Sequence, residues 1–173
     1  MRTPLIAGNW KMYKTGPEAA DTAGRLAELA ADAAHTEVMI APPFTALALV
    51  NAAIAGSRIQ LGGQNLHWEA EGAFTGEVSA AMLVAVGCRY VIIGHSERRQ
   101  YFGETDASVN RKITAAVDAG LSPILCVGES EDEREDGQTF SVLDKQLNNG
   151  LQDMALEVLE RLVMAYEPVW AIG

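Results

Sequence analysis

Short apolar runs alternate with longer amphipathic stretches along the whole chain. Six runs end at Gly, Pro or a polar residue and predict strands over residues 5–7, 37–41, 59–61, 90–93, 122–127 and 162–166. The stretches between them predict helices over residues 15–30, 44–55, 79–86, 106–119 and 130–154. Gly137 and Gly150 are expected to interrupt the last of these. This regular alternation predicts an α/β fold with a parallel sheet, in a single domain over residues 1–173.

Polar side chains follow most of the predicted strands at the point where each strand ends. They are Asn9, Lys11, Gln64, Asn65, His95, Glu129 and Glu167. The carboxyl ends of parallel strands meet at one edge of a sheet, and in barrels of alternating strands and helices this edge carries the active site. The sequence therefore predicts that these side chains share one face of the molecule.

The stretch from residue 89 to residue 99 carries the clearest candidate, His95. A β-branched strand stops there at a glycine, and the histidine follows it directly. Ser96 is expected to cap the next helix, whose first N–H groups would point at any nearby anion. The alternative is a histidine that is buried in a loop and satisfied by the backbone.

Three more residues have side chains that suit catalysis on a carbonyl compound. Glu167, stiffened by the proline that follows it, could act as a general base; it could equally be an exposed loop residue or a partner of Arg98. Lys11 could neutralise a phosphate or polarise a carbonyl oxygen, or be a solvated lysine. Asn9 could donate its amide N–H to an oxyanion, or simply form a turn.

Other polar and aromatic positions allow two interpretations each. Glu97, one residue past Ser96, is expected near enough to pair with Lys11 or Arg98, or it is a first-turn acid favoured by the helix dipole. The acidic run over residues 129–136 is interpreted as a solvated helix face. Trp170 is either an ordinary half-buried loop aromatic or the anchor of a mobile loop.

Composition narrows the class of protein. The chain has 173 residues, of which 49% are hydrophobic, and this favours a globular domain. Its net charge of −10 at pH 7 argues against binding to nucleic acid or to an anionic membrane, so local groups must hold any anionic substrate. The two cysteines, Cys88 and Cys126, have no metal-ligand spacing, and Cys126 is expected in the core. Without a predicted signal peptide or membrane span, we expect a soluble, cytoplasmic protein.

Five segments of the chain resemble the triosephosphate isomerase family, in its order and spacing. They are Ala7-Gly-Asn-Trp-Lys-Met12, Gly72-Ala-Phe-Thr-Gly-Glu77, Gly94-His-Ser-Glu-Arg-Arg99, Cys126-Val-Gly-Glu129 and Ala165-Tyr-Glu-Pro-Val-Trp-Ala-Ile-Gly173. The resemblance implies a (β/α)8 TIM barrel of about 250 residues, of which the first six βα units are present. Strands seven and eight, with their phosphate-binding turns, would be missing.

The resemblance also implies an activity and a set of roles. The activity is the interconversion of dihydroxyacetone phosphate and D-glyceraldehyde 3-phosphate through an enediolate, in glycolysis and gluconeogenesis, with no metal or organic cofactor. The implied roles are Glu167 as base, His95 as neutral electrophile, Asn9 and Lys11 in contact with substrate, Ser96 and Glu97 in support, Gly173 in the lid over the phosphate, and Thr75 in the loop that reaches into the partner of a homodimer.

Two alternatives remain open. One is another phosphate-binding barrel enzyme, and the other is an inactive barrel fragment that only self-assembles or complements a partner. A sheet of six parallel strands leaves its first and last strands as open edges. We therefore expect residues 1–173 alone not to form a stable, active monomer.

Overall fold

The six predicted strands form one parallel sheet in which neighbours in sequence are neighbours in space. The computed structural model describes residues 3–171. The strands are β1 (Leu5–Asn9), β2 (Glu37–Ala41), β3 (Ile59–Gly63), β4 (Cys88–Ile93), β5 (Ser122–Val127) and β6 (Val163–Tyr166). Among the described residues, β1 and β6 are the two edges of the sheet. The predicted strands are confirmed, with β1 and β3 running two residues further and β4 beginning two residues earlier.

Helices connect the strands. They are α1 (Gly16–Leu29), α2 (Leu47–Ala53), α3 (Ala80–Ala85), α4 (Ser96–Phe102), α5 (Asp106–Asp118), α6 (Glu131–Glu135), α7 (Thr139–Gly150) and α8 (Leu156–Arg161). Short 3-10 turns cover Phe44–Ala46 and Val169–Ala171. Within residues 3–171, none of the helices combines the length and the apolar character needed to cross a membrane.

Differences from the predicted helices have local causes. Residues 44–55 begin as a 3-10 turn instead of an α-helix. The predicted region 130–154 divides at Gly137, whose φ of +71° lies in the left-handed region that ends helices. Helix α8 was not predicted, and its N-cap, Ala155, makes no side-chain hydrogen bond that would mark the start of the helix. The capping boxes of Thr15 with Glu18 and Ser130 with Glu133 explain why α1 and α6 begin where they do.

Both faces of the sheet are apolar, and alternate residues of each strand serve opposite faces. On β4, Val91 and Ile93 pack into the larger cluster, which lies between the sheet and the helices. Tyr90 and Ile92 pack on the other face with a smaller cluster completed by Met39, Ala41, Ile124 and Cys126. Cys126 is therefore a core residue, as predicted. This packing fixes the strand ends that carry the candidate site.

Candidate active site

The two strongest candidates, His95 and Glu167, are in direct contact at the carboxyl edge of the sheet. His95 follows β4 and Glu167 follows β6, so the pair spans the end of β5. The Nε2 atom of His95 lies 3.1 Å from Oε1 of Glu167. The side chains are 8% and 18% exposed, so both groups are largely removed from water. A proton acceptor and a hydrogen-bond donor are thereby placed within reach of one small molecule.

The main chain fixes which nitrogen of His95 carries the proton. The backbone N–H of Glu97 donates to Nδ1 of His95 at 3.2 Å, so a neutral ring carries its proton on Nε2. Oε2 of Glu97 lies 3.6 Å from the same Nδ1, beyond hydrogen-bond distance. The Nε2–H group is therefore the one that faces Glu167.

The prediction that Ser96 caps the next helix is wrong, because His95 is the N-cap of α4. The backbone of His95 is non-helical, and its ring accepts the N–H of Glu97 in the way that a polar N-cap side chain does. Ser96 becomes the first helical residue, and its free N–H donates to Oε2 of Glu167 at 3.1 Å. The first turn of α4 thus orients both members of the His95–Glu167 pair.

Lys11 reaches the same edge from the end of β1. Its Nζ lies 2.8 Å from Oε1 of Glu97, and this hydrogen bond raises the pKa of the Lys11 ammonium. The Lys11 backbone has a φ of +50°, which few residues other than glycine adopt. Two side chains hold this turn: Asn9 Oδ1 accepts the Lys11 N–H at 2.9 Å, and Gln64 Nε2 donates to the Lys11 carbonyl at 2.7 Å.

Glu97 satisfies both interpretations of its position, since it pairs with Lys11 and also lies in the first turn of α4. The alternative that Glu167 pairs with Arg98 is not observed. The Nε atom of Arg98 lies 3.4 Å from Oε2 of Glu104 instead. Glu167 is held by His95 and by the helix start.

A buried carboxylate, Glu129, holds the segment that follows β6. Its oxygens accept the hydroxyl of Tyr166 at 3.0 Å and the indole N–H of Trp170 at 3.1 Å. Arg134 lies 3.3 Å from the same carboxylate and stacks 4.3 Å from the centre of the Trp170 ring. Burial by itself raises the pKa of the Glu129 carboxyl, but the hydrogen bonds that it accepts outweigh burial, and the pKa is lowered.

The interpretation of residues 129–136 as a solvated helix face is therefore wrong for Glu129, which is fully buried. It is right for α6, where only Glu133 is partly buried. The signal was available, because Glu129 follows an apolar strand just as His95 and Glu167 do. Trp170 is 42% exposed and donates its indole N–H to Glu129, and its role as the anchor of a mobile loop stays a prediction.

Two basic residues that the sequence did not single out connect the strand ends. Arg99 donates to the Gly94 carbonyl at 2.8 Å and pairs with Asp106 at 2.6 Å. Lys112 is buried and pairs with Glu104, and it donates to Asn65 Oδ1 at 2.7 Å. Mid-helix basic residues usually face solvent, so only the three-dimensional structure identifies these.

The other predicted residues are Thr75 and Gly173. Thr75 lies in an exposed loop, which its neighbour Phe74 ties down by packing on the His67 ring with centroids 4.3 Å apart. Gly173 lies outside the described residues. Within residues 3–171, no group of three or more His, Cys, Asp or Glu side chains is placed to hold a metal ion.

Proteins of one known family are similar to this chain in sequence. A sequence model of the family described as triosephosphate isomerase matches residues 4–173. The chain is 56% identical over 173 residues to the triosephosphate isomerases of Geobacter metallireducens and Chloroflexus aurantiacus, covering all of this chain and 69% of each relative.

The structure is similar to the crystal structure of triosephosphate isomerase from Bartonella henselae, with a TM-score of 0.88 and 43% identity. That match covers 98% of this chain and 70% of the other. The six strands form a curled half-barrel that corresponds to the first six βα units of a TIM barrel. The chain therefore belongs to the triosephosphate isomerase family.

Proposed function

We propose that this protein interconverts dihydroxyacetone phosphate and D-glyceraldehyde 3-phosphate by proton transfer through an enediolate. The observation that carries the proposal is the contact between His95 Nε2 and Glu167 Oε1 at 3.1 Å, with the Lys11 ammonium on the same edge. It is supported by relatives of the same family that bear the name of this isomerase.

Glu167 is the proposed base. One carboxylate oxygen removes a proton from the carbon next to the substrate carbonyl. The C–H electron pair becomes the new carbon–carbon double bond, and the carbonyl oxygen takes the negative charge. The charged oxygen takes the proton of the hydroxyl group on the carbon that was deprotonated. Return of the first proton to the former carbonyl carbon then completes the isomerisation and leaves the new carbonyl on the other carbon. The Ser96 N–H on the other carboxylate oxygen keeps the base in one orientation.

His95 and Lys11 are proposed to stabilise the enediolate oxygens. The Nε2–H of His95 is directed at Glu167 in the structure, and a bound substrate oxygen would take over this donor. The Lys11 ammonium supplies the positive charge, and the raised pKa keeps it charged at neutral pH. Donors fixed before the reaction stabilise developing negative charge without a cost of reorganisation. Asn9 helps by holding the Lys11 backbone and, we propose, by contacting the substrate.

The remaining proposals concern the phosphate and the oligomer. Gly173 is proposed to close over the substrate phosphate, and the loop that carries Thr75 is proposed to dock on a second copy of the chain in a homodimer. The 43% exposed ring of Phe74 in that loop is an apolar surface for such a contact. Sedimentation at micromolar concentration tests the dimer, and a fully active monomer would contradict it.

The activity is tested by assaying the purified chain in both directions beside His95→Gln. Circular dichroism confirms that both proteins fold. We expect measurable isomerisation from an assembly of the chain, not from a monomer, and a loss of about 10²–10³-fold in kcat for the variant, typical of a removed oxyanion donor. A folded chain with no isomerase activity would contradict the proposal. It would favour the inactive fragment that self-assembles or complements a partner.

A further inference from the structure

Gln146, on α7, makes two hydrogen bonds to one residue at the end of β5. Its Oε1 accepts the backbone N–H of Gly128 at 2.9 Å, and its Nε2 donates to the Gly128 carbonyl at 3.0 Å. A side-chain amide that pairs with both backbone groups of one residue acts as a neighbouring strand would.

The strand ladder explains why Gly128 needs this partner. The carbonyls on either side of it face β6, where Val127 accepts the N–H of Glu167 at 2.8 Å and Glu129 accepts the N–H of Val169 at 3.1 Å. Gly128 therefore faces the opposite side, toward β4. The pairing of β4 with β5 ends earlier, at Ile93 and Leu125. The Gln146 amide thus fills a place in the ladder that β4 leaves empty.

Gly128 is also in close contact with the backbone of the proposed base. A Cβ atom on Gly128 would overlap the carbonyl oxygen of Glu167, so nothing larger than glycine fits there without a backbone shift. A displacement of Gly128 must therefore pass directly to Glu167. The same displacement would alter the two hydrogen bonds that the carbonyls on either side of Gly128 accept from Glu167 and Val169.

We propose that Gln146 is a positioning residue for catalysis. Through Gly128 it fixes the backbone of Glu167 and the start of the segment anchored on Glu129. This rests on the proposed function, in which Glu167 is the base. Misplacing a catalytic group by about 1 Å can cost about 100-fold in rate, so a side chain that never touches substrate can still control turnover.

The test compares Gln146→Met, which keeps the length of the side chain without its hydrogen bonds, with Lys145→Met as the matched control. Lys145 is exposed on the same helix, and Lys, Gln and Met have similar helix propensities. Gln146→Glu, which retains an acceptor but loses the donor at pH 7, is the second variant. Amide hydrogen exchange at Glu167 and Val169 is followed by NMR, with the amides of β1 and β2 as an internal check of folding.

We expect exchange at Glu167 and Val169 to become about tenfold faster in Gln146→Met, as loss of about one hydrogen bond's free energy requires. Gln146→Glu should give a smaller increase, and Lys145→Met none. In steady-state kinetics kcat should fall by about tenfold or more with KM changed less than about twofold. Unchanged exchange at both amides would overturn the proposal, as would faster exchange with unchanged kcat. If the unsubstituted chain has no isomerase activity, the proposed function fails, and exchange alone decides whether Gln146 holds this backbone.

Discussion

His95 and Glu167 meet across the end of β5, with Nε2 of one 3.1 Å from Oε1 of the other. Neither side chain comes from the strand between them, yet that strand sets their separation. The backbone N–H of Glu167 donates a hydrogen bond to β5. Arg99 donates to two carbonyls, that of Gly94, which precedes His95, and that of Cys126 in β5. The contact is therefore built by the sheet and by two helix-borne side chains, Arg99 and Gln146.

The first prediction concerns the tautomer of His95. Because the Glu97 N–H occupies Nδ1, the neutral ring should carry its proton on Nε2. Nitrogen-15 NMR at neutral pH should show Nε2 protonated and Nδ1 unprotonated. His35, which is exposed, is the internal control and should exchange between forms. A proton on Nδ1 of His95 would contradict the proposed donor.

The second prediction concerns the pKa of Lys11. The hydrogen bond that Lys11 donates to Glu97 raises this pKa, so the stabilisation is present below the unfolded lysine value of about 10.4 and is lost as pH rises through the folded pKa. Glu97→Gln should bring the pKa of Lys11 back toward the ordinary value, measured by NMR titration of its side chain. Glu135→Gln, an exposed carboxylate on α6, is the control. An equal pKa in Glu97→Gln and the unsubstituted chain would show that the pair is not responsible.

The third prediction concerns Glu129 and pH. Its carboxyl pKa is lowered in the folded chain, so its contribution to stability is present above the unfolded value of about 4.3 and is lost as pH falls through the folded pKa. Glu129→Gln should cost about 1–3 kcal/mol at pH 7, the cost of weakening buried hydrogen bonds to a charged group. Near pH 3 the cost should be smaller. Urea unfolding of both proteins at the two pH values measures this free-energy difference. An equal loss of stability at both pH values would show that it does not depend on the negative charge of Glu129.

The fourth prediction concerns the space at Gly128. Because an added Cβ would meet the Glu167 backbone, Gly128→Ala should destabilise the chain by about 1–3 kcal/mol. It should also lower kcat by about tenfold or more. Gly24→Ala is the matched control, since Gly24 lies within α1 with nothing within 4 Å of an added Cβ. It should stabilise by about 0.5–1 kcal/mol. Equal effects of the two substitutions would argue against the close contact.

The sequence predicts the strands well because the short apolar runs and the turn residues that end them indicate the same boundaries. The run from Tyr90 to Ile93, which is followed by Gly94, is an example. The sequence also brings His95, Glu167 and Lys11 to one edge, since parallel strands end together. The sequence does not predict the burial of Glu129, because a carboxylate in an acidic run is expected to be solvated until its partners, Tyr166 and Trp170, are folded over it.

Gln146 and Lys112 are missed for a related reason. Each residue lies within a helix, and the neighbouring residues in the sequence do not distinguish a buried polar side chain from an exposed one. Their partners, Gly128 and Asn65, are distant in sequence and become close only when the helices pack on the sheet. The N-cap of α4 is also missed, because the ring of His95, and not the Ser96 side chain, accepts a backbone N–H of the first turn.

The most direct test follows substrate conversion by proton NMR in D2O for the unsubstituted chain, for Glu167→Gln and for Glu157→Gln, an exposed acid on α8. If Glu167 removes the proton and its carboxylic acid exchanges that proton with solvent before it protonates the neighbouring carbon, the product of the unsubstituted chain will contain solvent deuterium at the carbon that was reprotonated. Glu157→Gln will behave the same way, and Glu167→Gln will be slower by about 10²–10⁴-fold. Conversion by Glu167→Gln at the rate of the unsubstituted chain would contradict the account.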